Sequence, residues 1–319
     1  MVFTSVQDRI RNFDDRILNA LVTVDTGIVE VLKPFLLNQG KRIRPILVYL
    51  INGALGCSVT ERTHRFATIV EMIHTASLFH DDVLDDAGIR RGKPSANRLF
   101  GNNLSILAGD LLYIRALAMM NTESRELRNA VHDVVTAMTE AELNQGFKRY
   151  TLRDVSESIN INRGKTANLI ALACLLGAAE TGNPEKMEAS RQFGESLGMA
   201  FQIIDDLLDW FGTPSMGKQR FQDLRRGHIT LPLLILLEEL PPDERRALTR
   251  SITRADIARD TATATGCVEL MERYGIRDMV LNRAGEWIGS ARMFLDTLPL
   301  TPFRHDLEIL VEKVIERTR

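Results

Sequence analysis

Apolar residues recur at spacings of three and four along nearly the whole chain of 319 residues. This periodicity predicts amphipathic helices, whereas the period-two alternation typical of strands is hard to find. The breaks between helical stretches fall where Gly, Pro and Asn gather, and none resembles an interdomain linker. The sequence therefore predicts an all-α fold, with residues 1–319 forming a single domain.

Composition and charge narrow the functional class. Hydrophobic residues make up 45% of the chain and charged residues 26%, which is typical of a folded globular protein. The formal net charge is −2 and long Lys/Arg runs are missing, so we expect no nucleic-acid binding. The longest apolar run, near 169–179, is too short to span a bilayer, and the first residues lack a signal-peptide pattern. We therefore expect a cytosolic location.

The three cysteines have neither the spacing of a disulfide framework nor that of a zinc site, and we expect them to fill the core.

The first acidic motif, His80-Asp81-Asp82-Val83-Leu84-Asp85-Asp86, ends a helical pattern that begins near Glu61. Asp81 and Asp85 are one turn apart, so their carboxylates project from one face. Carboxylates this close repel each other without a cation, and oxygen ligands suit Mg²⁺. A single motif of this kind is explained equally well by a solvated acidic surface.

A second acidic motif, FQIIDDLLD, covers residues 201–209, where Gln202, Asp205, Asp206 and Asp209 share one side of a helix. Both motifs lie in Leu/Ile-rich helices, where unpaired carboxylates are costly. Two such motifs favour a joint function over two solvated surfaces. Facing each other across a cavity, they would hold several Mg²⁺ ions whose other ligands are substrate phosphates.

The helix that carries the second motif has clear sequence boundaries. We expect it to begin at Pro184, with Asn183 as its N-cap, and to run to about Phe211. Gly194 and Gly198 lie on its acidic face, where each glycine costs about 1 kcal/mol relative to alanine. Either close packing or space for a ligand would compensate this cost.

Small and neutral side chains precede the first motif on its own helix. Ser77, His74 and Val70 lie on the face of Asp81 at increasing depth, and Ala76 flanks them. An ordinary core stripe is one explanation, although it would more often contain Leu or Phe. The alternative is a channel that descends from the metal site.

Basic residues gather beside predicted turns, and each alone is explained by a surface charge. Together with paired acidic motifs they supply the Arg forks and Lys charges that bind a diphosphate. The segments are GKRIRP at 40–45, RRGKP at 90–94, GKT at 164–166 and GK at 217–218.

This ordered set of motifs resembles the trans-isoprenyl diphosphate synthases, the head-to-tail polyprenyl synthase family. The resemblance implies long antiparallel helices around a deep central cavity, usually in a homodimer. It also implies the reaction: with Mg²⁺, an allylic diphosphate ionises, the double bond of isopentenyl diphosphate attacks it, a proton is lost and diphosphate is released. No protein nucleophile is needed.

The resemblance assigns roles position by position. The Mg²⁺ ligands would be Asp81, Asp85 and Asp205, supported by Asp82, Asp206 and Asp209. Isopentenyl diphosphate would be held by Lys41, Arg44, His74 and Arg91. The allylic diphosphate would be held by Arg90, Lys165, Lys218 and His228. The reacting end would be lined by Lys165, Thr166 and Gln202.

Product length follows, by family analogy, from the side chains just before the first motif. Bulky aromatics there stop the product at farnesyl, whereas this chain has Ala76 and Ser77. We predict a long-chain all-trans product, hexaprenyl to nonaprenyl, of the kind used for quinone side chains. Val70 lies deeper, and Met119 and Met120 are candidates for the floor. A farnesyl or geranylgeranyl product is the alternative, and release of a long product allows transient membrane contact.

Two positions depart from the family pattern after the second motif: Phe221 replaces a glycine, and His228 replaces a lysine. Because Phe disfavours positive φ, we expect an altered loop path at Phe221. We expect His228 to bind the allylic diphosphate better when protonated, so that affinity falls between about pH 6 and 8.

Two other functions stay open at this stage. A class I terpene cyclase uses the same metals, but aromatics are only 6% of this chain and a cyclase needs no second diphosphate site. A catalytic subunit of a heteromeric synthase would carry the same motifs.

Overall fold

The computed structural model describes residues 3–37, 40–90, 92–212, 220–254 and 261–317. These residues are almost entirely helical, which confirms the predicted all-α class. The α-helices are α1 (Gln7–Arg11), α2 (Phe13–Ala20), α3 (Thr26–Leu36), α4 (Ile43–Ala54), α5 (Glu61–Leu84), α6 (Ala96–Phe100), α7 (Asn102–Ala118), α8 (Arg125–Phe147), α9 (Val155–Asn162), α10 (Asn168–Ala178), α11 (Pro184–Phe211), α12 (Gln222–Arg225), α13 (Leu231–Glu239), α14 (Pro242–Ile252), α15 (Thr261–Arg273), α16 (Ile276–Asp296) and α17 (Pro302–Glu316).

Shorter elements complete the secondary structure. Two 3₁₀ turns cover Thr4–Val6 and Ala179–Thr181, and a π-helical turn covers Arg163–Ala167. Strands β1 (Ile89–Arg90) and β2 (Lys93–Pro94) form an antiparallel hairpin just after the first acidic motif, which the helical periodicity did not predict. None of the helices in the described part of the chain is long and apolar enough to cross a bilayer.

The chain forms two compact units, each assembled from segments that are distant in sequence. The first unit consists of Met1–Val135, Leu169–Gly194 and Phe294–Glu308, and the second of Thr136–Asn168, Glu195–Met293 and Ile309–Arg319. A single domain over residues 1–319 stays a prediction.

Helix α5 is the centre of the first unit and packs against α2, α4, α6 and α7. It begins with a capping box, in which the Thr60 hydroxyl accepts from the Thr63 backbone N–H and the Thr63 hydroxyl accepts from the Thr60 N–H. Its apolar residues from Phe66 to Phe79 are buried, apart from the half-buried Leu78. The first acidic motif therefore lies at the end of a helix that is held along its length by the core.

Helix α11 has the boundaries that its sequence predicts. Gly182 adopts φ 60°, and the side-chain oxygen of Asn183 accepts from the backbone N–H of Glu185 at 2.9 Å and of Lys186 at 3.2 Å. The helix then runs from Pro184 to Phe211. The second acidic motif thus occupies its last turns.

The two glycines on α11 allow close helix packing. A Cβ at Gly194 would lie 2.7 Å from the Ala171 Cα, and a Cβ at Gly198 would lie 2.6 Å from the Ala167 Cα. Both distances are too short for any side chain, so close approach explains the glycines that helix propensity disfavours.

The second unit has α13 as its most apolar helix. Its residues from Leu231 to Leu237 are all buried, and it packs against α9, α14 and α15. The π-helical turn that follows α9 carries Lys165 and Thr166. Such turns are rare in helical proteins and are frequent at functional sites.

Candidate active site

The first acidic motif presents two carboxylates on one face of α5. The backbone N–H of Asp85 donates to the Asp81 carbonyl at 2.9 Å, which continues the helical turn past Leu84. The side chains of Asp81 and Asp85 are both half-buried. This is the arrangement that the sequence predicts for a pair of metal ligands.

Asp82 has a different environment, because it is only 4% exposed. Its carboxylate accepts from Nε of Arg90 at 2.6 Å, and its backbone carbonyl accepts from the Asn97 amide at 2.9 Å. Burial raises the pKa of Asp82, and the adjacent Arg90 guanidinium opposes that rise. The structure thus brings Arg90 to the first motif by means of the β-hairpin. Arg91, predicted to bind isopentenyl diphosphate, lies outside the described residues.

A cavity of about 260 Å³ opens beside this ion pair, within the first unit. Asp82 and Arg90 line it together with apolar side chains that include Phe35, Phe79 and Leu99. The residues predicted to control product length do not line this cavity. Its walls come from a different face of α5.

Those chain-length residues lie on and near α5 as small or buried side chains. Ala76 and Val70 are fully buried, and the hydroxyl of Ser77 donates to the His74 carbonyl at 2.9 Å. Met120 is buried and Met119 is half-buried at the end of α7, which packs on α5. Their effect on product length stays a prediction.

The cations predicted to hold isopentenyl diphosphate flank the start of α4. Lys41 is exposed and Arg44 is half-buried, while His74 is half-buried on α5. Arg42, between the two cations, turns into the protein interior and is 7% exposed. The basic motif therefore separates into outward and inward side chains.

In the second unit, Asp205 and Asp209 of the second acidic motif both have protein partners. Oδ1 of Asp205 accepts from Arg317 at 2.7 Å, and the Arg317 guanidinium lies over the Phe201 ring at 4.4 Å. The two carboxylate oxygens of Asp209 accept from the backbone N–H groups of Gln222 at 2.9 Å and Asp223 at 3.1 Å. Asp209 therefore fixes the start of α12.

Asp206 lies in a buried chain of hydrogen bonds and is 2% exposed. Its oxygens accept from Asn162 at 2.9 Å and from Gln202 at 2.8 Å, and Gln202 in turn accepts from the Thr166 hydroxyl at 2.7 Å. Burial raises the pKa of Asp206 to about 7, although the two amide donors oppose the shift. The structure thus brings together Thr166, Gln202 and Asp206, which the sequence placed in one site.

Lys165 contacts other groups in this structure. Its ammonium lies 2.6 Å from Oε1 of Glu142 and also donates to Oε1 of Gln145. Neither partner belongs to the acidic motifs. The predicted role of Lys165 at the allylic diphosphate stays a prediction, and Lys218 lies outside the described residues.

His228 is 8% exposed, and its charge state differs from our expectation. Burial, and after it the nearby cations Lys165, Arg149, Arg226 and Arg153, lower its pKa to about 3. The imidazole is therefore neutral between pH 6 and 8, and the predicted protonation in that range is wrong. The predicted contact of His228 with the allylic diphosphate is a separate matter and stays a prediction.

Phe221 adopts a left-handed backbone conformation, with φ 64° and ψ 25°, of the kind that glycine permits. The altered loop path expected here stays a prediction. The ring is buried against Trp210 at a centroid distance of 5.6 Å, and the Arg220 guanidinium lies 4.7 Å from it. These contacts offset the strain of the left-handed conformation.

The comparison with known protein families decides the identity. The model of the family described as polyprenyl synthetase matches residues 26–271, most of the chain. The chain belongs to the polyprenyl synthetase family.

Individual proteins of this kind are similar to this chain in sequence and in structure. The all-trans-nonaprenyl-diphosphate synthase (geranyl-diphosphate specific) of Rhodobacter capsulatus is 32% identical over 95% of this chain and 93% of its own. A decaprenyl diphosphate synthase structure from Rhodobacter capsulatus has a TM-score of 0.90 at 29% identity, covering 98% of this chain and 97% of its own. A Caulobacter crescentus polyprenyl synthase, complexed with calcium and isoprenyl diphosphate, has a TM-score of 0.85 at 30% identity, covering 97% and 95%. The predicted enzyme class, a prenyltransferase that makes polyprenyl diphosphates, is confirmed.

The donor set of this polyprenyl synthetase fits a hard divalent cation. Within the described ranges, no group of three or more His, Cys, Asp or Glu side chains is arranged to hold a metal ion alone. Mg²⁺ at phosphate sites commonly takes one or two carboxylates and completes its shell with water and substrate phosphates. The half-buried pair Asp81 and Asp85 supplies carboxylate oxygens of this kind.

Several residues at the site have no role in the sequence-based assignment. Asn162 and Arg317 contact motif aspartates across 44 and 112 positions, respectively. The backbone of Asp223 donates to Asp209, and burial raises the pKa of its carboxyl. Asp223 lies between Phe221 and His228, in the stretch compared above with the family pattern, which could have pointed to it, whereas no local pattern marks Asn162 or Arg317.

Proposed function

We propose that this enzyme condenses isopentenyl diphosphate onto an allylic diphosphate, head to tail, and makes a long-chain all-trans polyprenyl diphosphate of hexaprenyl to nonaprenyl length. The family match carries the reaction class. The length is supported by the small side chains Ala76 and Ser77 before the first motif and by relatives named as nonaprenyl and decaprenyl synthases.

The metal in this proposal is Mg²⁺, which when bound neutralises the charge of the departing diphosphate. Asp81, Asp85 and Asp205 are its principal ligands, since all three are at least partly accessible. Asp82 and Asp206 are buried against Arg90 and amide donors, so in the proposal they support the site by orienting these neighbours. Asp209 holds α12 in the same supporting way.

The polar side chains divide the remaining work. Lys41, Arg44 and His74 bind the diphosphate of isopentenyl diphosphate, and Arg90 with Lys165 binds that of the allylic substrate. The hydroxyl of Thr166 and the amide oxygen of Gln202 are held in one hydrogen-bonded chain. Oriented oxygens of this kind stabilise the allylic cation without reorganising during the reaction.

The purified chain, assayed alone with Mg²⁺, isopentenyl diphosphate and geranyl or farnesyl diphosphate, tests the proposal. We expect polyprenyl diphosphates from hexaprenyl to nonaprenyl, separated by chain length after dephosphorylation. Products that stop at farnesyl or geranylgeranyl contradict the proposed length. Hydrocarbon released without isopentenyl diphosphate indicates a cyclase, and activity only with a second protein indicates a heteromeric enzyme.

The chain-length residues provide a sharper test. Ala76→Phe should shorten the main product, because an aromatic ring would fill the channel before the first motif. Ser77→Phe tests the same channel at a half-buried position. Overpacking costs about 1–3 kcal/mol, and a larger side chain at Ser77 should overpack the core less than one at the fully buried Ala76. Ser77→Ala is the matched control and should leave the length unchanged. Unchanged length in both Phe variants would exclude this channel.

We also propose a homodimer and retain the cytosolic location predicted from the sequence. An exposed apolar face on α7 supports the homodimer: Leu104, Leu107 and Ile114 are 57%, 61% and 64% exposed. Apolar side chains grouped on one helix face are typical of an interface. Cell fractionation tests the location and any transient membrane contact.

A further inference from the structure

Arg42 is the inward-facing residue of the GKRIRP motif, and its guanidinium contacts three other helices. Nη1 donates to Glu71 of α5 at 2.7 Å. Nη2 donates to Asp14 of α2 at 2.7 Å and to the carbonyl of Leu36, the last residue of α3, at 2.6 Å. Its own backbone carbonyl accepts from the Ile46 N–H in the first turn of α4.

The Arg42–Glu71 ion pair is buried on both sides. The Glu71 side chain is 4% exposed and that of Arg42 is 6% exposed. A charge held this far from water is costly unless a partner with good geometry compensates it. A guanidinium supplies several fixed donors at once, which an ammonium cannot do from one position. The buried ion pair and the several donors of the guanidinium therefore explain why this position of the motif is Arg, and contact with solvent does not.

The backbone of Arg42 is also unusual, with φ 50° and ψ 38°. A left-handed residue other than glycine costs about 1–2 kcal/mol, and such a conformation persists only where its surroundings determine it. Here it sends the Arg42 side chain inward, while Lys41 on one side is exposed and Arg44 beyond is half-buried. The buried fork fixes the turn from which the two outer cations project.

Glu71 connects this turn to the third residue assigned to the same substrate. It lies on α5 one turn before His74, so the ion pair ties the turn bearing Lys41 and Arg44 to the helix bearing His74. We propose that Arg42 is a positioning residue for the isopentenyl diphosphate site. Through Glu71, Asp14 and the Leu36 carbonyl, it sets the spacing of Lys41, Arg44 and His74, and it does not itself contact substrate. This rests on the proposed function, in which those three residues bind that diphosphate.

A pair of apolar substitutions separates positioning from general stability. Arg42→Met alone leaves Glu71 buried without its partner and should destabilise the fold. Arg42→Met combined with Glu71→Leu removes both charges and should recover most of the melting temperature. If Arg42 positions the cations, the double variant still binds isopentenyl diphosphate about tenfold more weakly, measured calorimetrically with Mg²⁺ and no allylic substrate. Its KM for the allylic diphosphate should stay within about twofold of the original.

Two further variants complete the experiment. Arg62→Met is the matched control, since it removes a guanidinium in the first turn of α5 from the buried carboxylate of Glu123, and isopentenyl diphosphate binding should not change. Arg42→Lys keeps the positive charge but loses the forked donors of the guanidinium, and it replaces the double variant if that variant does not fold. Its affinity for isopentenyl diphosphate should also be reduced.

The outcomes are distinguishable. Binding that recovers together with melting temperature in the double variant overturns the proposal, as does an Arg42→Lys variant that binds like the original protein. Lys41→Ala is measured in parallel as the direct contact. If Lys41→Ala binds isopentenyl diphosphate normally, the proposed assignment of the site fails, and the positioning role fails with it. If Lys41→Ala is weakened and the Arg42 variants are not, only the positioning role fails.

Discussion

His228 shows how much the charge of a single residue depends on its burial. The imidazole is buried and lies near several cations, which together lower its pKa to about 3. In an unfolded chain the same side chain titrates near 6.5. Folding therefore removes a proton from His228 at any pH between these values, which ties the stability of the protein to pH.

The sign of this effect follows from proton linkage. Below about pH 6.5 the unfolded state binds a proton at His228 that the folded state does not, so stability falls as the pH is lowered toward 3. We expect the melting temperature to fall from pH 7 to pH 5 by more in the original protein than in His228→Gln. The measurement is thermal unfolding with a chelator present. Equal falls in both proteins would mean that the imidazole is accessible when folded.

Phe221 combines strain with packing at one residue. Its left-handed backbone costs about 1–2 kcal/mol, whereas removing a buried phenyl ring costs about 3–5 kcal/mol. Because packing exceeds strain, Phe221→Gly should destabilise the protein by about 2 kcal/mol in urea unfolding. A variant more stable than the original would show that the strain is the larger quantity. Gly182, in another part of the chain, adopts a similar φ of 60°. Because glycine has no side chain, this conformation is not strained there.

At the scale of elements, close helix packing places the reacting end. Gly198 lets α11 approach the π-helical turn at Ala167, and the neighbouring Thr166 then reaches Gln202 one turn further along α11. The glycine and the hydrogen bond thus belong to one arrangement. A methyl group at Gly198 would change the distance on which that hydrogen bond depends.

Gly198→Ala should therefore lower both stability and kcat. The new Cβ would lie 2.6 Å from the Ala167 Cα, and overpacking of this kind costs about 1–3 kcal/mol. The matched control is Gly289→Ala on α16, where a Cβ meets nothing within 4 Å. That variant should gain up to about 1 kcal/mol from helix propensity with unchanged activity. Thermal unfolding and initial rates measure both, and a Gly198→Ala enzyme of full activity would contradict the coupling.

At the scale of the whole molecule, the proposed homodimer depends on an exposed apolar face of α7. Helix α7 buries one face on α5 and leaves apolar residues exposed on another, among them Leu107 and Ile114. In the proposed homodimer this face is covered by the second copy. A charged side chain placed on this face would be buried when two copies associate. Burying a charge costs far more free energy than leaving it in contact with water on the free chain.

Leu107→Glu, alone or with Ile114→Glu, should convert a dimer to a monomer in sedimentation or native mass spectrometry. Met293→Glu is the matched control, since Met293 is a comparably exposed apolar residue on α16 and should have no effect on association. Dimers that survive the α7 variants would place the interface elsewhere.

Much of the fold follows from local sequence. Helix α5 begins near Glu61 and α11 covers Pro184 to Phe211 as predicted, because capping residues and apolar periodicity act within a few turns of the chain. The β-hairpin after the first motif was missed, since strands this short leave no periodic signal. The motif residues of the site were recognisable because each motif is contiguous.

What the sequence by itself determined was the all-α class, the helix ends and the family-specific motifs, all of which are encoded in neighbouring residues. Only the tertiary structure decided the charge of His228, the conformation of Phe221, and the partners of Asp206 and Arg42. These depend on desolvation and on side chains far away in the chain. A local pattern carries no information about either, because burial and long-range pairing arise only when the chain has folded.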